Sequence, residues 1–338
     1  MTCILSIDVG TTNVKASLVN EEGTLLGITR RQHQIHRGAS GRTASHHPED
    51  LMKSIIKCSK EAIEGRESET ELVVVSSYQY GLVILNSKMK PISNISTLLD
   101  IRSKETYQEF LQETDAAKLY ETTGCPSFTQ SILPRLFYFK KNMPERIKNG
   151  RHFLSSKAWI LYNFTGKLVT EASTESVTQF LDINKLKWRQ DILDTVGISE
   201  ESLPEIVEPM ADAYSIKEEI RKAIGLKSDC KIIPGVYDGG AICLGMDCYH
   251  SGHAISNIGT SGMLRVLSKE LILDDSSKMR YQPFYLMDGK YLIGGATNNA
   301  ALPLKWFKEN LLELGYDEID RLAHGSPVGS NSLFSCPT

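Results

Sequence analysis

The sequence predicts an α/β protein built in two lobes, and three observations carry that expectation. Short β-branched or apolar runs alternate with longer amphipathic stretches of helical period, as where residues 47–64 are followed by the run 72–77. The length, 338 residues, exceeds what one ordinary hydrophobic core organises. Finally, Ile7-Asp8-Val9-Gly10-Thr11-Thr12-Asn13-Val14-Lys15 has a counterpart about 250 residues downstream in Ile258-Gly259-Thr260-Ser261-Gly262. Each reads as a hydrophobic strand entering a tight turn of glycine and hydroxyl residues. Glycine lets the backbone approach a phosphate closely, successive N–H groups point inward, and the hydroxyls add donors. Asp8 stands just before the first turn, where a carboxylate can hold water-coordinated Mg²⁺ against phosphates. Two such turns from distant segments suggest a nucleotide clamped between two lobes.

Each element follows from local chemistry. Residues 3–8 and 14–19 read as strands joined by the Gly-Thr-Thr turn, and Glu21-Glu22-Gly23 turns the chain into a third strand over 24–31. His47-Pro48-Glu49-Asp50 opens a helix through about 64, with proline and acids in its first turn where the helix dipole favours them. The run 72–77 is typical of a buried strand, and 82–85 continues it. Helices are expected over 104–112, 131–142, 155–163 and 188–196. A strand over 231–236 runs into Tyr237-Asp238-Gly239-Gly240, and a helix follows to about 246. The second lobe is expected to hold strands over 254–258, 263–267 and 291–293 and a helix over 300–312.

Composition narrows the function classes. Hydrophobic residues make up 41% and charged residues 23%, with a net charge of −3. Basic residues are dispersed, so neither nucleic acid nor an anionic membrane is an expected partner, and small-molecule chemistry is. The seven cysteines (Cys3, Cys58, Cys125, Cys230, Cys243, Cys248 and Cys336) are odd in number, irregularly spaced and lack a Cys-x-x-Cys pair. That pattern fits buried thiols in a reducing cytoplasm rather than zinc or disulfides. The N-terminus meets Asp8 after a few apolar residues, which reads as a strand rather than a signal peptide. No apolar run approaches the 18 residues of a membrane span.

Taken together and in order, five segments resemble the FGGY family of carbohydrate kinases. They are Asp8-x-Gly10-Thr11-Thr12-x-x-Lys15, Leu99-Asp100-Ile101-Arg102, Pro234-Gly235-Val236-Tyr237-Asp238-Gly239-Gly240-Ala241, Gly259-Thr260-Ser261-Gly262 and Gly294-Gly295-Ala296-Thr297-Asn298-Asn299. Within the family, residues 285–306 and the Gly-Thr-Ser-Gly context look most like gluconate kinases of the xylulokinase-like group. The resemblance implies the two-lobed actin/hexokinase-type (ribonuclease H-like) ATPase fold. It implies an N-terminal kinase domain over 1–248, a partial ATP-binding domain over 249–338, and ATP with Mg²⁺ as cofactors.

The resemblance also assigns roles. Asp238 matches the family's general base, and it would take the proton from a sugar hydroxyl as that oxygen attacks the γ-phosphate of ATP and ADP leaves. An acid opening a helix can equally cap that helix, and the two roles can coexist. Asp8 resembles the magnesium-contacting acid, with Gly10, Thr11 and Thr12 in the phosphate turn, although Asp-x-Gly also simply makes hairpin turns. Gly259, Thr260 and Ser261 resemble the second lobe's ATP contact. Lys15 reads as a solvated strand residue, because a strand follows the turn and this is no Walker loop.

Sugar recognition departs from the family pattern. Where relatives carry Gln-Met-His-Gly, this chain has Tyr78-Gln79-Tyr80-Gly81, and Leu98 replaces a tryptophan before Asp100-Ile101-Arg102. Gln79, Tyr80, Gly81, Asp100, Arg102 and Asp238 are the expected acceptor-binding residues. Arg102 can meet a sugar-acid carboxylate or form a structural salt bridge with Asp100. Near the nucleotide, Ala300-Ala301 replaces a glycine pair, and residues 333–338 resemble the start of a strand that continues in relatives. The chain is therefore expected to be C-terminally truncated, with an incomplete second sheet, an exposed apolar face and an edge at which a second copy could form a homodimer. The expected activity is ATP-dependent phosphorylation of a gluconate-like sugar acid or a pentulose such as xylulose. The alternative is a catalytically impaired sugar-binding relative.

Overall fold

In the computed structural model, the described residues are 2–333 apart from 211, 212, 251, 260 and 298. Strands β1 (Cys3–Val9), β2 (Asn13–Asn20) and β3 (Leu25–Gln32) form an antiparallel meander in which Asp8 lies opposite Lys15. Alternation sends Cys3, Leu5, Ile7 and Val9 to one fully buried face. Helix α1 (Pro48–Ala62) covers that face with Leu51, Ile55, Cys58 and Ala62, a stripe of helical period. Strand β4 (Thr70–Ser77) then pairs parallel to β1.

Helices α2 (Ile132–Asn142) and α3 (Ser156–Thr165) intervene before strands β5 (Tyr214–Ser215) and β6 (Lys231–Ile233) complete a six-stranded sheet in the order β5-β6-β4-β1-β2-β3. Because β6, β4 and β1 are parallel, their carboxyl ends share one edge. Open α/β sheets gather ligands outside such an edge. Helix α4 (Asp238–Gly245) starts just beyond it.

The second sheet is antiparallel. It comprises β7 (Ala254–Ile258), β8 (Gly262–Ser268), β9 (Gln282–Met287) and β10 (Lys290–Thr297) in the order β7-β8-β10-β9. Strand β9 was not legible in the sequence, since Gln-Pro-Phe-Tyr-Leu-Met does not alternate and contains a proline. It occupies the sheet's edge, where the absent proline N–H breaks no ladder. Its side chains bind the first lobe: Phe284 stacks on Tyr237 with ring centroids 5.2 Å apart, and the Tyr285 amide donates to Ser176 Oγ at 3.1 Å. Helices α5 (Leu302–Leu311) and α6 (Tyr316–His324) follow, the second without a counterpart in the sequence reading. Ile258, Leu264, Trp306 and Leu311 are exposed on this lobe. Of the strand expected over 333–338, residues 334–338 lie outside the described residues.

Two expected helices differ from those observed. The segment 104–112 divides into a 3₁₀ turn, Arg102–Glu105, and a short α-helix, Tyr107–Glu113, because the Ser103 hydroxyl is drawn to the Thr129 carbonyl. The helix expected from 188 begins at Gln190. Trp188 is instead laddered against Leu181, with its indole N–H donating to the Pro204 carbonyl at 2.8 Å.

Candidate active site

The first glycine turn closes at the end of β1, where the Gly10 amide donates to the Asn13 carbonyl at 2.9 Å. Behind it, His33 Nε2 and His46 Nε2 each lie 2.9 Å from the Thr11 carbonyl oxygen. Burial pushes both imidazoles below their ordinary pKa, His46 to about 4, so both are neutral at pH 7 and donate through Nε2–H. His46 Nδ1 then accepts from the buried Tyr78 hydroxyl at 2.8 Å. Thr12 is exposed, and its carbonyl accepts the His33 amide at 3.1 Å. No motif marked these histidines in the sequence; only the fold brings them under the turn.

Asp8 stands at the sheet edge with its carboxylate part-exposed, 3.8 Å from Lys15 Nζ. Burial raises its pKa and Lys15 opposes the shift. Asp238 is the first residue of α4, and its Oδ1 accepts the Gly239 amide at 2.7 Å. Burial is the main cause of its raised pKa, and repulsion from Asp8 adds to it. The Gly239 amide, Arg265 and Lys157 pull the other way. Asp238 thus serves its own helix terminus and still borders the cleft.

The approach to Asp238 is held from beneath. Lys157 is fully buried, and its ammonium donates to the Val75 carbonyl at 2.5 Å and the Val236 carbonyl at 3.1 Å, joining β4 to the residues before α4. Its counter-ion is the equally buried Glu171, 3.5 Å away. Glu171 Oε2 accepts the amides of Ser173 and Thr174, and Ser173 Oγ in turn accepts the Tyr237 amide at 3.0 Å. In the sequence, Lys157 looks like any lysine near a helix start.

A cleft of about 370 Å³ opens in front of Asp238, bordered by Thr11, Gln79, Tyr80, Ser261 and Arg265 among others. Tyr80 adopts φ 64°, a left-handed conformation that non-glycine residues avoid. Its carbonyl accepts a 2.7 Å hydrogen bond from Arg135, whose guanidinium is fully buried and also binds the Ser96 hydroxyl and the Thr97 and Gln130 carbonyls. Gln79 Nε2 is buried without a hydrogen-bond partner. Gly81 faces α3 rather than the cleft; a Cβ there would stand 2.7 Å from the Ser156 Cβ.

Asp100 and Arg102 are together but elsewhere. Asp100 is fully buried, and Arg102 grips it through Nε at 3.0 Å and Nη2 at 2.6 Å. Arg102 borders a separate cavity with Thr43, His47 and Arg146, and neither residue lines the cleft at Asp238.

On the second lobe, the Gly259 amide donates to the Ser261 carbonyl at 2.9 Å, and the Gly259 carbonyl accepts the Ala301 amide at 2.8 Å. Thr260, between them, lies outside the described residues. A second cavity of about 700 Å³, bordered by Ile258, Leu264, Thr297 and Ala300, shares Asn257, Gly262, Met263 and Ala296 with the Asp238 cleft. Among the described residues no group of three or more His, Cys, Asp or Glu side chains could hold a metal ion, and no helix is long and apolar enough to cross a membrane.

Known proteins share both the order of these elements and the fold. The family model described as "FGGY family of carbohydrate kinases, N-terminal domain" matches residues 3–245. The chain is 26% identical to a xylulose kinase of Bacillus subtilis, over all of this chain and 68% of that protein. It is 22% identical to a gluconokinase of Bacillus licheniformis, over 99% of this chain and 67% of that one. Among solved structures, a ligand-bound xylulose kinase and a gluconate kinase from Lactobacillus acidophilus each superpose with a TM-score of 0.92 at 26% identity, covering 98% of this chain and 67% of theirs. The chain thus spans about two thirds of the length of these relatives. With a family model matching most of its length and this two-lobed architecture, the chain belongs to the FGGY family of carbohydrate kinases.

Proposed function

We propose that this chain transfers the γ-phosphoryl group of ATP to a hydroxyl of a sugar or sugar acid, with Asp238 as the general base. The observation that carries this reading is the shared cleft: a part-buried carboxylate of raised pKa stands between Thr11 of one glycine turn, Ser261 of the other, and the polar pair Gln79 and Tyr80. Phosphoryl transfer asks mainly for positioning, charge stabilisation and a carboxylate to take the hydroxyl proton. Gln79 and Tyr80 would hold the acceptor, while Gly10, Thr11 and Thr12 would face Gly259, Thr260 and Ser261 across the phosphates. In this reading residues 1–248 and 249–338 are the two lobes, and their closure excludes water from the reaction.

Mg²⁺ fits the donor set, because it usually takes one or two carboxylates together with phosphates and water rather than an all-protein cage. Asp8, part-exposed and only loosely paired with Lys15, would hold it and would draw charge from the phosphates. The relatives named for xylulose and gluconate make those two the first acceptors to test. ADP release coupled to a dehydrogenase should rise above the ATP-only background with at least one of gluconate, xylulose, ribulose or glycerol, and EDTA should abolish it. Sugar binding with no ADP release from any acceptor would overturn the reading in favour of a sugar-binding module.

Asp100 and Arg102 have a supporting place in this scheme. Arg102→Ala strands a buried carboxylate, so it should cost about 3 kcal/mol in a urea denaturation while leaving the Michaelis constant for the acceptor within about twofold. A tenfold rise in that constant would return Arg102 to the acceptor site.

A further inference from the structure

Arg265 is a cation of the second lobe that the sequence reading did not single out. It projects from β8 toward the start of α4, and two glycines make room for it. A Cβ on Gly294 would stand 2.9 Å from the Arg265 Cγ, and one on Gly239 would stand 2.6 Å from its Nη2. The stem thus lies in one glycine gap and the guanidinium in another, directly beside Asp238. Any larger residue at position 239 would push the guanidinium away from the base.

For all this accommodation, the guanidinium has no carboxylate partner among the described residues and meets only the Tyr237 hydroxyl. Its Nε is buried without a hydrogen bond, and it makes no ion pair within 4.0 Å among the described residues. A buried polar group left unpaired is costly, and arginine's fork matches a carboxylate bidentately. The other arginines near the acceptor residues are already engaged: Arg102 is bound to Asp100, and both terminal nitrogens of Arg135 donate to backbone and hydroxyl oxygens. Among the described residues lining the cleft, Arg265 is the one cation. Its charge also reaches the side chains around Asp238. Tyr80, Tyr237 and Asp238 all respond to it, whereas the charge felt by Asp8 is that of Lys15.

We infer that Arg265 determines acceptor specificity by receiving a carboxylate, so that the class of acceptor taken beside Asp238 is a sugar acid rather than a neutral ketose. The inference rests on the kinase reading above, and its test is independent of turnover. Binding of D-gluconate and of neutral D-xylulose to the full chain is measured by calorimetry without ATP, for the wild type, Arg265→Gln and Arg265→Lys. The wild type should prefer gluconate. Arg265→Gln should weaken gluconate binding about 30-fold, as loss of a charge-assisted hydrogen bond does, and change xylulose binding less than threefold, with Arg265→Lys intermediate. Equal losses for both ligands, unchanged gluconate binding, or a wild-type preference for xylulose would each overturn the inference. So would unchanged binding of both ligands with a fall in kcat on both, which would place Arg265 on the transferred phosphoryl group. Failure of the kinase reading would show separately, as no ADP release from any acceptor.

Discussion

Asp238→Asn should lower kcat about a thousandfold, the scale of a lost general base, while leaving the fold intact and the Michaelis constant for ATP little changed. Asparagine keeps the oxygen that accepts the Gly239 amide, so the helix terminus stays satisfied. Only the capacity to take a proton is removed. The stability readout separates this role from a structural one. Burial and Asp8 raise the carboxyl's pKa in the folded state. Its contribution to folding is therefore greatest below the unfolded pKa and falls as pH rises through the raised one. At pH 8 the charged side chain is a cost, and the asparagine variant should unfold at the same temperature as the wild type or a higher one. The same shift sets the acid limb of the wild-type kcat/KM profile: activity should rise with pH and reach its plateau above the range of an ordinary aspartate. A variant that unfolds early yet keeps its turnover in the folded fraction would remove Asp238 from the chemistry.

The largest stability effect should come from Lys157→Met. That substitution leaves Glu171 buried without its counter-ion and releases the Val75 and Val236 carbonyls. Removing one partner of a buried ion pair costs about 3–5 kcal/mol, a large share of the roughly 5–15 kcal/mol that holds a domain together. The expected result is a strongly lowered urea midpoint. Because Val236 lies two residues before Asp238, the fraction that still folds should also show reduced kcat. The double variant Lys157→Met/Glu171→Gln removes both charges and keeps the amide-capping oxygen at position 171, so it should recover much of the stability. If the double variant were as unstable as the sum of the two single ones, the pair would not be coupled and the account of this cluster would be wrong.

The elements legible in the sequence are those whose cause is local. Proline and acids at positions 48–50 open α1 wherever the chain goes. The β-branched run before Ser77 can hardly be anything but a buried strand, and a strand followed by Asp238-Gly239-Gly240 exposes an acid at a sheet edge. Strand β9 escaped because its proline is tolerated only at an edge, and edge position is a property of the sheet. Which of the residues expected to bind the acceptor reach the cleft was settled by packing for a similar reason. Gln79 and Tyr80 border the cleft; Gly81 and the Asp100 and Arg102 pair took their places through α3 and through each other.

What the sequence determined by itself was the α/β class, the two glycine turns, and an acid, Asp238, at the head of a helix, because each is written in neighbouring residues. The tertiary structure decided which charges are spent and which are free. Lys157, Arg135, Arg102 and Arg265 are alike as letters, since a cation's partner is set by folding rather than by its neighbours in the chain. Three are engaged by buried oxygens, and the fourth borders the cleft beside Asp238 with no carboxylate partner among the described residues. Desolvation makes that difference matter, because a partly desolvated charge without a counter-ion gains more from a ligand than a solvated one.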